Sequence, residues 1–219
     1  MTVANPHRAV AASGITFAVL FVAAVLTLGD LLGSVGDPDR QFVSHFASGA
    51  NRARHIVGAY LLAGAGLFFL VFVTHLHALL RGRTQEETTL ATIGMGSTIV
   101  IVVMLFASAV ALSAVATSIG YADIFDEDPH EFSPDTLRLA TQIGFLFQVF
   151  GMLAGALAVG ATSLWAMRSD ILPGWLAWLG LVLAFVLLFA LFFLPTFALP
   201  IWVLTVSIVL LRRVGNNLP

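Results

Sequence analysis

The sequence predicts an all-α integral membrane protein, a single bundle of six transmembrane helices spanning residues 1–219. Of these 219 residues, 59% are hydrophobic and 10% are charged, whereas soluble domains carry about 25% charged residues. Five stretches of at least 21 residues contain no charged side chain: 9–29, 55–80, 88–122, 139–167 and 171–211. A helix needs about 20 apolar residues to cross a bilayer. The stretches are continuous and not alternating, so we expect helices and not barrel strands.

Turn and capping signals divide these stretches into six spans, at about 9–32, 53–80, 88–118, 134–167, 174–194 and 198–213. The fourth span has the clearest start. Ser133 is a good N-cap, Pro134 suits the first helical position, and Asp135 favours the positive end of the helix dipole. The last charge-free stretch would be about 60 Å long as one helix, twice the hydrocarbon thickness. Pro195 and Pro200 therefore predict two spans with a tight turn between them.

Arginine placement predicts that both chain termini lie inside the cell. With the N-terminus inside, six arginines fall in inner segments and four in outer segments, and the positive-inside rule favours that orientation. The first apolar run lacks a cleavage pattern, so we expect it to remain as the first span. All ten basic residues are arginine, and together with the Ala, Val, Leu and Gly excess this is typical of high-GC bacteria. We therefore expect a bacterial cytoplasmic membrane protein.

Two outer segments are long enough to carry structure. In the segment 33–52, Phe42, Val43 and Phe46 recur at helical spacing, which predicts a short amphipathic helix on the outer surface. The segment 121–133 contains closely spaced acidic residues: Asp123, Asp126, Glu127, Asp128 and Glu131. Carboxylates at this density can hold a calcium or magnesium ion. A solvated loop paired with outer arginines is the other interpretation.

Residues for catalysis or cofactor binding are hard to find in this chain. Ionisable side chains are missing from the middle of every predicted span, which argues against ion-coupled transport. His55 and His75 lie about 30 Å apart on one helix, so they cannot share a haem iron. His75 and His77 point to different sides, and we interpret them as residues at a helix end. There is no cysteine, and a net charge of -2 gives no sign of nucleic-acid binding. We predict no catalytic residue, no metal ligand and no cofactor.

Small residues predict close packing among the second, third and fourth spans. Gly151 and Gly155 form the G-xxx-G motif that allows helices to approach closely. The last two spans are rich in Leu, Phe and Val and are expected to face lipid or another protomer. Membrane lipids are the expected partners, with a second copy or another membrane protein bound through the small-residue faces as a further expectation.

Gln148 is a polar side chain well inside the fourth span, where it must find hydrogen-bond partners. One interpretation is bonding to a neighbouring helix at Ser108, Ser113 or Tyr60. The other is a small ligand cavity with four polar lining residues: Gln142, Gln148, Tyr60 and Ser108.

Four stretches carry a resemblance to a known group of proteins: 36–46, 51–62, 172–180 and 193–202. They begin Gly-Asp-Pro-Asp-Arg, Asn-Arg-Ala-Arg-His, Leu-Pro-Gly-Trp and Phe-Leu-Pro. In these stretches the chain resembles small polytopic membrane proteins of actinobacteria that carry no assigned activity. The resemblance covers the whole chain and implies six helices in a bacterial envelope.

Three functions follow as hypotheses. The first is a non-enzymatic structural, accessory or ligand-sensing subunit, because catalytic groups are missing. The second is a carrier or channel for a small neutral or lipid-like molecule, with a cavity near Gln148 and Tyr60. The third is a membrane enzyme or electron-transfer protein with a metal or haem site.

Overall fold

A computed structural model of the chain describes residues 6–34, 38–80, 84–125, 133–168 and 172–216. Within these residues the chain is helical and contains no β-strand, which confirms the predicted all-α class. The α-helices are α1 (Pro6–Ser34), α2 (Asp39–Ala47), α3 (Gly49–Leu80), α4 (Gln85–Phe125), α5 (Pro134–Ala166), α6 (Gly174–Leu187) and α7 (Ala198–Asn216). Two short 3-10 helices, Ala190–Phe192 and Leu194–Phe197, lie between α6 and α7.

Five of the described helical segments are long and apolar enough to cross a membrane: His7–Gly29, Gly49–Leu80, Gln85–Tyr121, Pro134–Ala166 and Leu194–Arg213. This is the architecture of a multi-pass membrane protein. Helix α6 is apolar but has only 14 residues, about 21 Å against a hydrocarbon thickness of about 30 Å.

The helix bounds differ from the predicted spans at two places. The span predicted at 174–194 is α-helical only to Leu187, and its remainder forms 3-10 turns. The span predicted at 88–118 begins at Gln85 and continues through Gly120 to Phe125. It starts early because Thr84 and Glu87 form a capping box, in which each backbone N–H donates to the other side chain at 3.1 and 3.2 Å. The other spans agree with the prediction within four residues at each end.

The six apolar helices pack in a closed ring. Its order is α1, α3, α4, α5, α6 and α7, each helix contacts the next, and α7 contacts α1. Buried aromatic side chains join helices across this ring. The rings of Phe17 in α1 and Phe69 in α3 have centroids 5.0 Å apart, and Phe72 meets Trp202 of α7 edge to face at 6.0 Å. Dispersion contacts of this kind hold helices together where water supplies no hydrophobic drive.

Helices α4 and α5 approach closely at two glycines, as the small-residue pattern predicts. A Cβ atom on Gly144 would lie 2.6 Å from Cγ of Leu112, and one on Gly151 would lie 3.1 Å from Cβ of Met104. The same pairs show that the helices are antiparallel, because the contacting residue number in α4 decreases as the residue number in α5 increases.

Of the two prolines that predict the turn between α6 and α7, one lies in the turn and the other just after it. Pro195 lies in the second 3-10 helix, and Pro200 lies in the first turn of α7, where a missing backbone N–H costs no hydrogen bond. Phe193 has φ 64° and ψ −58°, a conformation that non-glycine residues rarely adopt. The carbonyl oxygen of Phe193 accepts a hydrogen bond from Thr196 Oγ1 at 2.6 Å, which holds the reversal in place.

Helix α2 is the amphipathic helix predicted in the segment 33–52. Phe42 and Phe46 are both buried, whereas Val43 is exposed. The helix contacts α3 and α5 at the end of the bundle where α3 and α5 begin. We call α2 the cap helix.

Candidate functional site

The cap helix is fixed to α5 by a charged and an aromatic contact. Arg138 Nη1 donates a hydrogen bond to Asp39 Oδ1 at 2.6 Å, and Cζ of the same guanidinium lies 5.3 Å from the ring centroid of Phe42. The ion pair is solvent-exposed and is worth at most about 1 kcal/mol. The buried side chains of Phe42 and Phe46 therefore supply most of the stabilisation of this contact.

The cap helix is joined to α3 by a tight, bonded corner. Arg52 Nη1 donates to the carbonyl oxygens of Phe46 and Ala47 at 3.0 and 2.9 Å. These carbonyls lack partners within the helix because they lie at the C-terminal end of α2. A cation there is attracted to the negative end of the helix dipole. The orientation of α2 on the first turns of α3 is thus determined locally.

Two histidines meet directly at this corner. Nε2 of His45, in the cap helix, lies 3.0 Å from Nε2 of His55, in α3. His55 is 2% exposed, and Phe46 stacks on its ring with centroids 5.3 Å apart. The His55 side of this polar contact is therefore buried against the ring of Phe46.

Asn51 favours one arrangement of the hydrogens on the two histidines. Its Nδ2 lies 3.0 Å from the backbone oxygen of His45 and 3.3 Å from His45 Nδ1. A carbonyl oxygen only accepts, so this amide atom donates, and His45 Nδ1 accepts. In the neutral pair His45 then carries its hydrogen on Nε2 and donates it to His55 Nε2. The result is a directional chain from Asn51 through His45 to His55.

This chain has a limited capacity for protons. One imidazolium can still donate to one neutral imidazole, so the contact tolerates a single added proton. With two imidazolium rings every ring nitrogen carries a hydrogen, two N–H groups face each other, and the hydrogen bond is lost. A metal ion between the rings would need lone pairs on both Nε2 atoms, whereas Asn51 keeps a hydrogen on one of them. Among the described residues no group of three His, Asp or Glu side chains could hold a metal ion.

Several charged side chains lie on α2, α3 and α5, the elements that meet at this corner. Asp39 and Arg138 bond each other, and Arg52 bonds the end of the cap helix. The other charged residues on these elements are exposed to solvent: Arg40, Arg54 and Asp135.

A second polar cluster lies at the opposite end of the bundle. Nε2 of His77 lies 3.2 Å from Oγ1 of Thr162 in α5, and its ring meets Trp165 edge to face at 5.1 Å. Its neighbour His75 is exposed. The interpretation of both as simple helix-end residues therefore fits His75, whereas His77 takes part in packing between α3 and α5.

An ion pair at this same end joins α4 to α5. Arg168 Nη2 lies 2.7 Å from Glu86 Oε1. This hydrogen bond raises the pKa of the Arg168 guanidinium, so the cation persists at any physiological pH. Both side chains are largely exposed, which limits the contribution of the pair to stability.

The four residues predicted to line a ligand cavity occupy two different environments. Tyr60 is 77% exposed, and Gln142 is exposed as well. Ser108 and Gln148 are buried, and the antiparallel register of α4 and α5 places them at the same level, between the Gly144–Leu112 and Gly151–Met104 contacts.

Neither Ser108 nor Gln148 is fully hydrogen-bonded within the described part of the chain. Ser108 Oγ and Gln148 Nε2 have no hydrogen-bond partner there. Ser113, the other suggested partner, donates instead to Ala109 O of its own helix at 2.8 Å. The structure thus places Ser108 and Gln148 at the same level of the α4–α5 interface, with these two buried atoms unbonded in the described part of the chain.

The predicted outer cation site falls largely outside the described residues. Asp126, Asp128 and Glu131 lie in the segment 126–132, which the structure does not describe. Asp123 belongs to the last turn of α4, and its side chain is not described. The acidic loop stays a prediction.

Comparison of the chain with protein-family models, with curated proteins and with solved structures finds no match.

Sequence reasoning missed the pairing of His45 with His55. It compared His55 only with His75, which lies on the same helix. A signal was present: His45 ends one helical pattern, Ser48 and Gly49 break it, and His55 follows in the second turn of the next helix. A sharp helix–helix corner brings residues just before and just after it together.

Proposed function

We propose that the protein is a non-enzymatic, multi-pass protein of the bacterial cytoplasmic membrane. All six apolar helices lie in the membrane, with both chain termini on the inner side and the cap helix on the outer side. The arginine distribution supports this orientation. Large apolar side chains exposed on every wall of the ring support a lipid environment: Val19, Leu26, Val57, Val110, Leu157, Phe185 and Ile201.

Within this frame we propose that the protein is a sensory or accessory subunit whose cap helix responds to protons at the outer surface. The observation that carries the proposal is the direct Nε2–Nε2 contact of 3.0 Å between His45 and His55. It joins a short surface helix to a membrane helix through the side chain type that changes charge between pH 5 and 8.

The response follows from the proton capacity of the pair. Near neutral pH the chain from Asn51 to His55 is intact and the cap helix is docked. When both imidazoles carry an added proton, the hydrogen bond is lost and two like charges repel. The loss of a hydrogen bond costs about 1 kcal/mol, or about fivefold in an equilibrium constant. The docked fraction of the cap helix falls accordingly as pH falls.

Hydrogen–deuterium exchange of the cap helix tests this proposal. We expect the amides of Asp39–Ala47 to lose about fivefold in protection between about pH 7.5 and about pH 5, after correction for intrinsic exchange. In a His45→Gln variant the amide can still donate to His55 but cannot gain a charge, so its protection should not change with pH.

A His75→Gln variant is the matched control, because this exposed histidine lies on α3 away from the cap helix. It should keep the pH response of the parent protein. Equal pH dependence in the parent and the His45→Gln variant would refute the proton-sensing role, as would protection in the parent that does not change with pH.

A further inference from the structure

The turn between α6 and α7, residues 188–197, differs in chemistry from the polar end at which the cap helix lies. We call it the hairpin turn. It contains no charged residue, and its only polar side chain is Thr196, which is fully buried and bonded to Phe193 O. The cap end, by contrast, presents Asp39, Arg52 and Arg138.

The backbone of the hairpin turn, together with Ala198 directly after it, makes several internal hydrogen bonds. Six N–H groups each donate to the carbonyl oxygen three residues earlier: those of Leu188, Phe189, Phe192, Phe193, Thr196 and Ala198. Pro195 has no N–H to satisfy. In hydrocarbon no water is present to bond free backbone groups, so irregular backbone survives there only if it is paired internally. The six bonds pair much of the backbone of the hairpin turn internally.

Several of its apolar side chains face outward. Phe192 is 74% exposed and Leu194 is 76% exposed, among the highest values for large apolar residues in the described chain. A turn that projected into water would expose these groups at a cost of about 25 cal/mol for each Å². Acyl chains remove that cost.

The depth of the turn agrees with this environment. Trp175 and Trp178, both exposed at the start of α6, mark one membrane–water interface. From there α6 rises about 21 Å, and the half of the turn that continues upward adds at most about 10 Å at the 3-10 rise of about 2 Å per residue. The sum is close to the hydrocarbon thickness of about 30 Å.

Contacts with α5 compare the level of the turn with the polar start of that helix. A Cβ atom on Gly155 would lie 3.7 Å from Leu187 Cδ1 and 4.0 Å from Leu199 Cδ1. The end of α6 and the start of α7 therefore lie at the level of Gly155. Helix α5 continues for 21 residues beyond it to Pro134, about 31 Å. The hairpin turn therefore ends well below the polar start of α5.

We infer that the hairpin turn is embedded among the acyl chains of the leaflet nearest the cap helix and does not emerge into water. Helices α6 and α7 thus form a hairpin that enters and leaves on one side, with lipid as the partner of its tip. The inference depends on the hydrogen bonding, the exposed apolar side chains and the depth of the turn, so it does not require the proton response of the cap helix.

Spin-label accessibility tests this directly, because the chain contains no cysteine of its own. Single-cysteine variants are labelled in vesicles of phosphatidylethanolamine and phosphatidylglycerol, and collisions with oxygen and with the polar reagent NiEDDA are compared. The Leu194→Cys variant reports on the turn. The Phe185→Cys variant is the hydrocarbon control, and the Thr136→Cys variant, in the first turn of α5, is the water control.

We expect the label at position 194 to collide with oxygen as at position 185 and to lose the NiEDDA collisions seen at position 136. NiEDDA collisions at position 194 equal to those at position 136 would place the turn in water and overturn the inference. Loss of both kinds of collision would mean that protein, such as a second copy of the chain, covers the turn, and would also overturn it.

Discussion

Gly144 and Gly151 are the residues at which α4 and α5 approach each other most tightly. The atom that a Cβ on Gly144 would meet at 2.6 Å belongs to Leu112, and the backbone nitrogen of Leu112 lies only 3.3 Å away. A side chain can rotate away, but a helix backbone cannot move without separating the two helices.

We therefore expect Gly144→Ala to destabilise the protein by about 1–3 kcal/mol, the usual cost of overpacking a tight interface. Thermal unfolding in detergent measures this. The matched control is Gly160→Ala on the same helix, where a Cβ would make an ordinary contact of 3.7 Å with Ala184. That variant should be unchanged or slightly more stable, because alanine favours helix by up to about 1 kcal/mol. Equal melting temperatures for both variants would contradict the tight α4–α5 packing.

Some residues could be predicted from the sequence because their roles are local. Ser133 accepts a hydrogen bond from Thr136 N at 3.3 Å, as its position before Pro134 predicts. The His45–His55 contact depends on the angle between two helices, which the sequence signals only through the break at Ser48 and Gly49. The burial of Gln148 beside Ser108 likewise depends on the register of α4 against α5.

At the scale of elements, the cap helix depends on a few contacts that can be separated. Its ion pair with Arg138 and its contact with His55 are each worth about 1 kcal/mol. Burial of its two phenylalanines is worth more, because a buried phenylalanine replaced by alanine costs about 3–5 kcal/mol.

Phe42→Ala should therefore release the cap helix and leave the ring of six helices assembled. Amide exchange of Asp39–Ala47 should approach that of an unprotected segment, whereas the central amides of α3 and α5 should keep their protection. Val43→Ala, on the exposed side of the same helix, should leave both unchanged. Unfolding of the ring in the Phe42→Ala variant would show that the cap helix is an integral part of the bundle and not a docked element.

The sequence predicts elements well where charge and turn residues mark their ends, and less well where they do not. The cap helix and α5 appear at the predicted positions. The end of α6 at Leu187 differs from the prediction. The residues that follow are as apolar as the helix itself, so hydropathy cannot distinguish an α-helical end from a 3-10 turn.

At the scale of the whole molecule, hydropathy and two prolines predict six apolar spans, of which five appear as helices long enough to cross a membrane, but they do not predict the order of the helices around the ring. The contact of α7 with α1, which closes the ring, involves Gly14 and Ser207, residues that no pattern marks as partners. Both ends of the bundle carry charged residues, and the arginine count alone assigns one of them to the cytoplasm.

The central claim is that the cap helix faces the outside while the chain ends inside. Two single-cysteine variants of this naturally cysteine-free chain, Val43→Cys in the cap helix and Asn216→Cys at the end of α7, are treated in intact bacteria with a membrane-impermeant maleimide. We expect Val43→Cys to be labelled in intact cells and Asn216→Cys to be labelled only after permeabilisation. Labelling of Asn216→Cys in intact cells, with Val43→Cys protected until permeabilisation, would contradict the account.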